Sequence, residues 1–213
     1  MNEQMKEQLR KAGIVPVIKL EETEKAEDLA KALRAGGIHC AEITFRAKGA
    51  EKVIAVMKDA YPDMLVGAGT VLTMEEAALA VDAGAKFIVS PGFDGEIVDF
   101  ALAENILPLP GCVTPTEIQM ALKKGLDIVK FFPAAQFGGA AAIKALAGPF
   151  SGLQVMPTGG ISLDNLEDYL NVKNIIACGG SFMVKETMIR KNRWDEITEL
   201  SRQARTIVNR VRA

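Results

Sequence analysis

Apolar and polar positions along the chain follow two alternating rhythms. Short runs rich in Val and Ile recur at 14–20, 39–45, 64–71, 86–92, 106–111, 127–134, 153–160 and 175–180. Each ends in a turn containing Gly, Pro or Thr. Stretches rich in Ala, Leu, Glu and Lys lie between them, near 23–36, 48–60, 74–83, 94–104, 115–124, 139–147 and 163–170, with a further one at 194–212. Runs of four to eight apolar residues bounded by turn signals read as buried strands, and the longer amphipathic stretches read as helices. Helix boundaries carry their own signals. Thr114, Pro115 and Glu117 supply an N-cap, a first-turn proline and a capping-box partner, and Thr73 with Glu76 repeats the spacing. Glycines in 35–37 and 83–85 stand where left-handed C-caps are needed.

Strand and helix in strict alternation predict a parallel sheet covered by helices. Eight such units in 213 residues predict an α/β (β/α)8 TIM barrel with an extra N-terminal helix. The alternative is an open doubly wound sheet, which usually needs fewer strands. No linker, low-complexity segment or charge block divides the chain, so 1–213 reads as a single domain. The polar residues 1–13 read as an amphipathic helix rather than a secretory signal.

Composition narrows the function classes. A net charge of −2 offers no bulk attraction to nucleic acid or to an anionic membrane, so neither is expected as a partner. An anionic ligand must therefore be held by a local site. The apolar runs are far shorter than a membrane span. With a single histidine, His39, no His-rich metal centre is available, and neither metal nor cofactor is expected. Cys40, Cys112 and Cys178 show no ligand spacing and no disulfide framework, which points to the cytoplasm.

In such a barrel the active site forms at the C-terminal ends of the strands. On the second strand Glu42, Thr44 and Arg46 share one face, because strand side chains alternate. Three polar groups on an inner face are costly unless they meet solvent, a ligand or one another, so a site and a structural ion-pair network both remain open. On the sixth strand Lys130 stands alone in an apolar run. Desolvation or a nearby cation lowers a lysine pKa and yields a nucleophilic amine, whereas a lysine that snorkels past the strand end stays an ordinary cation. The seventh and eighth strands end in Thr158-Gly159-Gly160 and Gly179-Gly180-Ser181. Paired glycines there let backbone N–H groups approach a phosphate, helped by the helix that follows. Thr70 and Ser90 end the third and fourth strands, Gly111 makes room after the fifth, and Lys19 ends the first on the face of Val15 and Val17. Lys19 either reaches an anionic ligand or is simply exposed.

Taken in register, Glu42-Ile43-Thr44-Phe45-Arg46, Gly67-Ala68-Gly69-Thr70-Val71, Ser90-Pro91-Gly92, Lys130-Phe131-Phe132-Pro133-Ala134 and Pro157-Thr158-Gly159-Gly160 resemble the 2-keto-3-deoxy-6-phosphogluconate (KDPG) / 4-hydroxy-2-oxoglutarate (KHG) aldolase family. The likeness runs from about Ile14 to the C-terminal helix. It implies a metal-free class I aldolase acting on a 2-keto acid, organised as a homotrimer. It implies Lys130 as the Schiff-base lysine and Glu42 as the general acid/base. It implies Arg46, Thr70, Pro91 and Phe132 around the pyruvate moiety, and phosphate at Gly159, Gly160, Gly180 and Ser181, with Lys19 as a further candidate. Thr158 resembles the gluconate-type members. Other phosphate-binding barrels, such as isomerases or epimerases, and a non-catalytic oligomeric scaffold are the competing readings.

Overall fold

A computed structural model describes residues 3–212; Met1, Asn2 and Ala213, included in the sequence reading, lie outside the described residues. Its strands are β1 (Ile14–Ile18), β2 (Cys40–Thr44), β3 (Leu65–Gly69), β4 (Phe87–Val89), β5 (Leu107–Leu109), β6 (Ile128–Phe131), β7 (Gln154–Pro157) and β8 (Cys178–Gly180). Its helices are α1 (Glu3–Ala12), α2 (Ala26–Ala35), α3 (Ala50–Ala60), α4 (Met74–Asp82), α5 (Gly95–Ala103), α6 (Pro115–Lys123), α7 (Gly139–Ala147), α8 (Leu166–Leu170), α9 (Glu186–Arg190) and α10 (Trp194–Arg212). Every predicted strand is present, shorter than its apolar run, because the flanking turns take the run's ends. The helix α9 was not predicted: its five residues, Glu-Thr-Met-Ile-Arg, are too few to establish a period.

All strand pairings are parallel. One ladder runs β5-β4-β3-β2-β1-β8, and β6 pairs with β7. Isolated parallel bridges join Gly111 to Lys130, Val155 to Ile175 and Thr158 to Gly179. These bridges link the segment after β5 to β6, and β7 to β8 and the segment before it. Every residue of β2 and β3 is buried. That is the signature of strands covered on both faces, and it explains the near-continuous apolar runs.

The capping box at α6 forms as predicted. The Glu117 N–H donates to Thr114 Oγ1 at 3.3 Å, and the Thr114 N–H donates to Glu117 Oε2 at 2.8 Å. At α4 only half of that pattern forms. The Glu76 N–H donates to Thr73 Oγ1, but the Glu76 carboxylate accepts from Leu72 N–H instead of from Thr73. Gly37 and Gly84 follow α2 and α4 with φ of +82° and +90°, as the C-caps require.

Helix α1 lies at the N-terminal ends of the strands. Its Met5 and Leu9 are buried, and Lys6 pairs at 2.6 Å with Asp127, the residue before β6. The opposite, C-terminal ends are left open. Among the described residues no helix is long and apolar enough to cross a membrane.

Candidate active site

At those C-terminal ends a cavity of about 250 Å³ is lined by Val17, Glu42, Arg46, Thr70, Pro91, Lys130, Phe132, Thr158, Gly159, Gly160, Ile161, Gly179, Gly180 and Ser181. Residues from seven strands or the loops after them converge on it.

Lys130 sits on β6 with its backbone held on both sides. Its N–H donates to the Pro110 carbonyl and its own carbonyl accepts from Cys112 N–H, each at 2.9 Å. The side chain is only 4% exposed, and Nζ lies 3.5 Å from Glu42 Oε1 and 5.1 Å from the centre of the Phe132 ring. Glu42, on β2, is 0% exposed. Its second oxygen, Oε2, is buried with no hydrogen-bond partner among the described residues. A buried carboxylate oxygen without a donor is costly, so its persistence at a cavity wall points to a group that a ligand or water completes.

The room for Glu42 comes from β3. A Cβ on Gly69 would stand 2.3 Å from Glu42 Oε1, 2.6 Å from Cγ and 2.8 Å from Cδ. Only a residue without a side chain permits this carboxylate position. Gly111 acts similarly on the far wall, where a Cβ would fall 2.0 Å from the Pro91 carbonyl oxygen. The expectation that Gly111 makes room therefore has a specific object, the loop that carries Pro91.

Strand alternation put Glu42, Thr44 and Arg46 on one face, and the structure separates their roles. Thr44 is buried and does not line the cavity; its hydroxyl donates to the Ile18 carbonyl at 2.8 Å. Arg46 lies beyond the end of β2, in the turn, where Nε donates to Thr44 Oγ1 at 3.3 Å. Its guanidinium thus reaches the cavity through a local hydrogen bond, with no help from strand periodicity. Thr70 follows β3 with φ of 55°, a left-handed conformation that is strained for a β-branched residue. Such strain costs about 1–3 kcal/mol and concentrates at functional sites. Here Phe45 N–H to Gly69 O (2.8 Å) and Val71 N–H to Val89 O (3.1 Å) hold the chain on either side.

Two corrections concern the anion subsite. Lys19 is not among the cavity residues; its ammonium pairs with Glu21 and Glu186, each at 3.2 Å. Two nearby carboxylates hold that cation outside the cavity. The helices after β7 and β8 are five residues each and begin only at Leu166 and Glu186. Any anion at Gly159, Gly160, Gly180 and Ser181 is therefore met by loop N–H groups rather than by a helix terminus. The φ of +100° at Gly159 and +79° at Gly160 explains why glycine occupies both places.

The sequence reading did not place Val17, Thr158 and Ile161 in the site. For Thr158 a signal existed, since it shares strand parity with Met156 and precedes the glycine pair. Its Oγ1 is buried with no hydrogen-bond partner among the described residues, in a gap kept open by Gly179. For Ile161 there was none, because its position depends on two left-handed glycines turning the chain. Ser90 is buried but lies outside the lining. Two basic side chains, Arg46 and Lys130, line the cavity beside one carboxylate, Glu42, although the chain as a whole carries a slight negative charge. Among the described residues no group of three or more His, Cys, Asp or Glu side chains gathers as metal ligands.

Comparison with known proteins bears directly on this arrangement. Residues 5–200 match the family described as KDPG and KHG aldolase. The 2-dehydro-3-deoxy-phosphogluconate aldolase of Haemophilus influenzae is 46% identical over 97% of this chain and 97% of its own length. The KHG/KDPG aldolase of Escherichia coli K12 is 40% identical over 90% of each. Among solved structures, the KDPG aldolase of Legionella pneumophila, with pyruvate captured at low pH as a covalent carbinolamine intermediate, superposes with a TM-score of 0.89 at 39% identity, covering 92% of this chain and 96% of its own. A match over most of its length, with these relatives and with a cavity assembled from the motifs that carry the likeness, shows that the chain belongs to the KDPG and KHG aldolase family.

Proposed function

We propose that this protein is an aldehyde-lyase that cleaves KDPG to pyruvate and glyceraldehyde 3-phosphate through a Schiff base on Lys130, and that it also accepts KHG, giving pyruvate and glyoxylate. The observation that carries the reading is the buried pair of Lys130 and Glu42, 3.5 Å apart in a cavity lined by ten of the eleven predicted site residues. A carbinolamine, as captured in the Legionella relative, is the adduct of an amine and a ketone. In this cavity the lysine side chain is that of Lys130.

Attack requires the free amine, and the Glu42 carboxylate is placed to take the proton it sheds. Lys130 Nζ adds to the C2 carbonyl of the 2-keto acid, Glu42 passes the proton it took to the carbinolamine hydroxyl, and loss of water leaves Glu42 a carboxylate again and a protonated imine that acts as an electron sink. Arg46 neutralises the substrate carboxylate, with the Thr70 hydroxyl beside it, and the fixed geometry supplies the proximity effect. The Phe132 ring covers the imine. Glu42 then accepts the proton of the C4 hydroxyl, directly or through a water, as general base. Its unpartnered Oε2 suits this task. The C3–C4 bond breaks, the aldehyde leaves, and the enamine is protonated at C3 by the proton that Glu42 now carries. Hydrolysis frees pyruvate and restores Lys130. The Thr158 hydroxyl, also unpartnered, reads the substrate hydroxyls, and the loops at Gly159, Gly160, Gly180 and Ser181 receive the phosphate.

The same reading takes 1–213 as one domain, with the bridges around β6, β7 and β8 closing the parallel strands into a (β/α)8 barrel. It takes the working form as a homotrimer. Leu72, Met74, Leu79, Met120, Leu122 and Phe137 are exposed apolar side chains that association would cover. Three free, buried cysteines suit the cytoplasm.

The test is borohydride reduction in the presence of pyruvate, followed by peptide mass analysis. One pyruvate-derived adduct on Lys130 with loss of activity is expected, and an adduct at another residue would overturn the assignment. Pyruvate release from KDPG and from KHG at equal concentration ranks the two substrates. Light scattering at three times the 22.9 kDa chain mass is the expected result for the trimer.

A further inference from the structure

The loop after β7 contains an element that the phosphate reading does not use. Asn165 does not line the cavity, yet it grips the loop at two points. Its Nδ2 donates to the Gly160 carbonyl at 2.8 Å, and its Oδ1 accepts from Ser162 N–H at 2.9 Å. The two bonds need opposite polarity, so they also settle which end of the amide faces which group. Gly160 is left-handed at φ +79°, and the peptide that follows it is trans. In a planar trans peptide the N–H points opposite to the C=O. With the Gly160 carbonyl held toward Asn165, the Ile161 N–H must point away from it. Ile161 lines the cavity and is 7% exposed, and its N–H meets no acceptor among the described residues. A backbone donor at a cavity wall that meets no protein acceptor calls for a partner from the cavity.

We infer that Asn165 is a positioning residue for the phosphate subsite, turning the Gly160–Ile161 peptide so that the Ile161 N–H donates to the substrate phosphate. This rests on the aldolase reading above and adds a donor and its support to that site. Glycine at 160 leaves the peptide free to rotate on its N-terminal side, and the Asn165 amide removes that freedom before the substrate arrives. The preorganised donor then binds the anion without an ordering cost. The purely structural alternative, a loop staple, affects all substrates alike.

Two measurements separate these roles. Inorganic phosphate titrated into labelled wild-type protein, followed by amide NMR, is expected to shift the Ile161 N–H resonance together with those of the glycine loops. In Asn165→Ala the phosphate dissociation constant rises and the Ile161 response shrinks. In steady-state kinetics Asn165→Ala loses about tenfold in kcat/KM for KDPG, mainly through KM, while KHG, which carries no phosphate, changes by less than about twofold; this is the scale of one hydrogen bond to a charged group. An unmoved Ile161 amide in wild-type protein overturns the inference, as does an equal loss on both substrates or no loss on either. If the wild-type protein released pyruvate from neither substrate, the aldolase reading would fall, and the phosphate titration would still decide the role of Asn165.

Discussion

Replacing Gly69 with alanine tests the proposed mechanism through a residue that takes no part in the chemistry. Gly69 does not have a positive φ, so alanine suits its backbone and the perturbation is one methyl group. That methyl would stand 2.3 Å from Glu42 Oε1, whereas ordinary contact begins at 3.4 Å, so the carboxylate must withdraw by about 1 Å. The conflict extends to Cγ and Cδ at 2.6 and 2.8 Å, so rotation of the terminal carboxylate alone cannot relieve it. A displacement of about 1 Å in a catalytic group costs on the order of 10²-fold in rate. Overpacking costs about 1–3 kcal/mol of stability, partly offset by the 0.4–1 kcal/mol or so that alanine gains by stiffening the unfolded chain. The assay is pyruvate release from saturating KDPG at a temperature well below the melting midpoint of the variant, with borohydride trapping of pyruvate run in parallel. A folded G69A protein should trap pyruvate on Lys130 while losing about 10²-fold in kcat. A folded G69A protein with wild-type kcat would refute the claim that this glycine sets the working position of Glu42.

Three further expectations follow from particular contacts. Glu42→Gln should impair imine formation with pyruvate less than C–C cleavage, which falls by about 10²–10⁴-fold, and undiminished turnover would remove Glu42 from the mechanism. Burial works to raise the Glu117 carboxyl, but the N–H groups of Thr114 and Val113 and the Thr114 hydroxyl outweigh it and hold the group below its ordinary 4.5. A depressed carboxyl stabilises the fold above its unfolded pKa and loses that contribution as pH falls through the folded value. Wild type should therefore exceed Glu117→Ala by about 0.3–1.5 kcal/mol at neutral pH, with the gap closing in acid. A urea series that shows a constant gap down to pH 3 would contradict this. Burial pushes the Cys40 and Cys112 thiols up to about 12 and raises that of Cys178 as well, so none should react with a disulfide reagent at pH 8 until the protein unfolds. Rapid native-state labelling would show that at least one thiol is accessible.

Much of this architecture was legible in the linear chain because its signals are local. The capping box at Thr114, the glycines after α2 and α4 and the eight apolar runs depend only on near neighbours. Helix α9 escaped notice because five residues cannot show a helical period. Arg46 was placed on the right face for an incomplete reason, since strand alternation stops at Thr44 and a hydrogen bond carries the guanidinium onward. For Lys19 the chain left an anion contact and simple exposure both open, and the structure places its ammonium outside the cavity. Its ion pair with Glu186 joins residues far apart in sequence, and no periodicity reports such a pairing.

The order of residues alone determined which strands exist, that they run parallel, and which residue types are available for imine chemistry, because periodicity, turn composition and lone polar residues in apolar runs are written locally. Only the assembled structure decided that Lys130 on β6 meets Glu42 on β2, and that Gly69 on β3 leaves the room that the Glu42 carboxylate occupies. Those relations depend on how distant parallel strands pack together, and ångström distances between distant segments are set by packing rather than by any pattern along the chain.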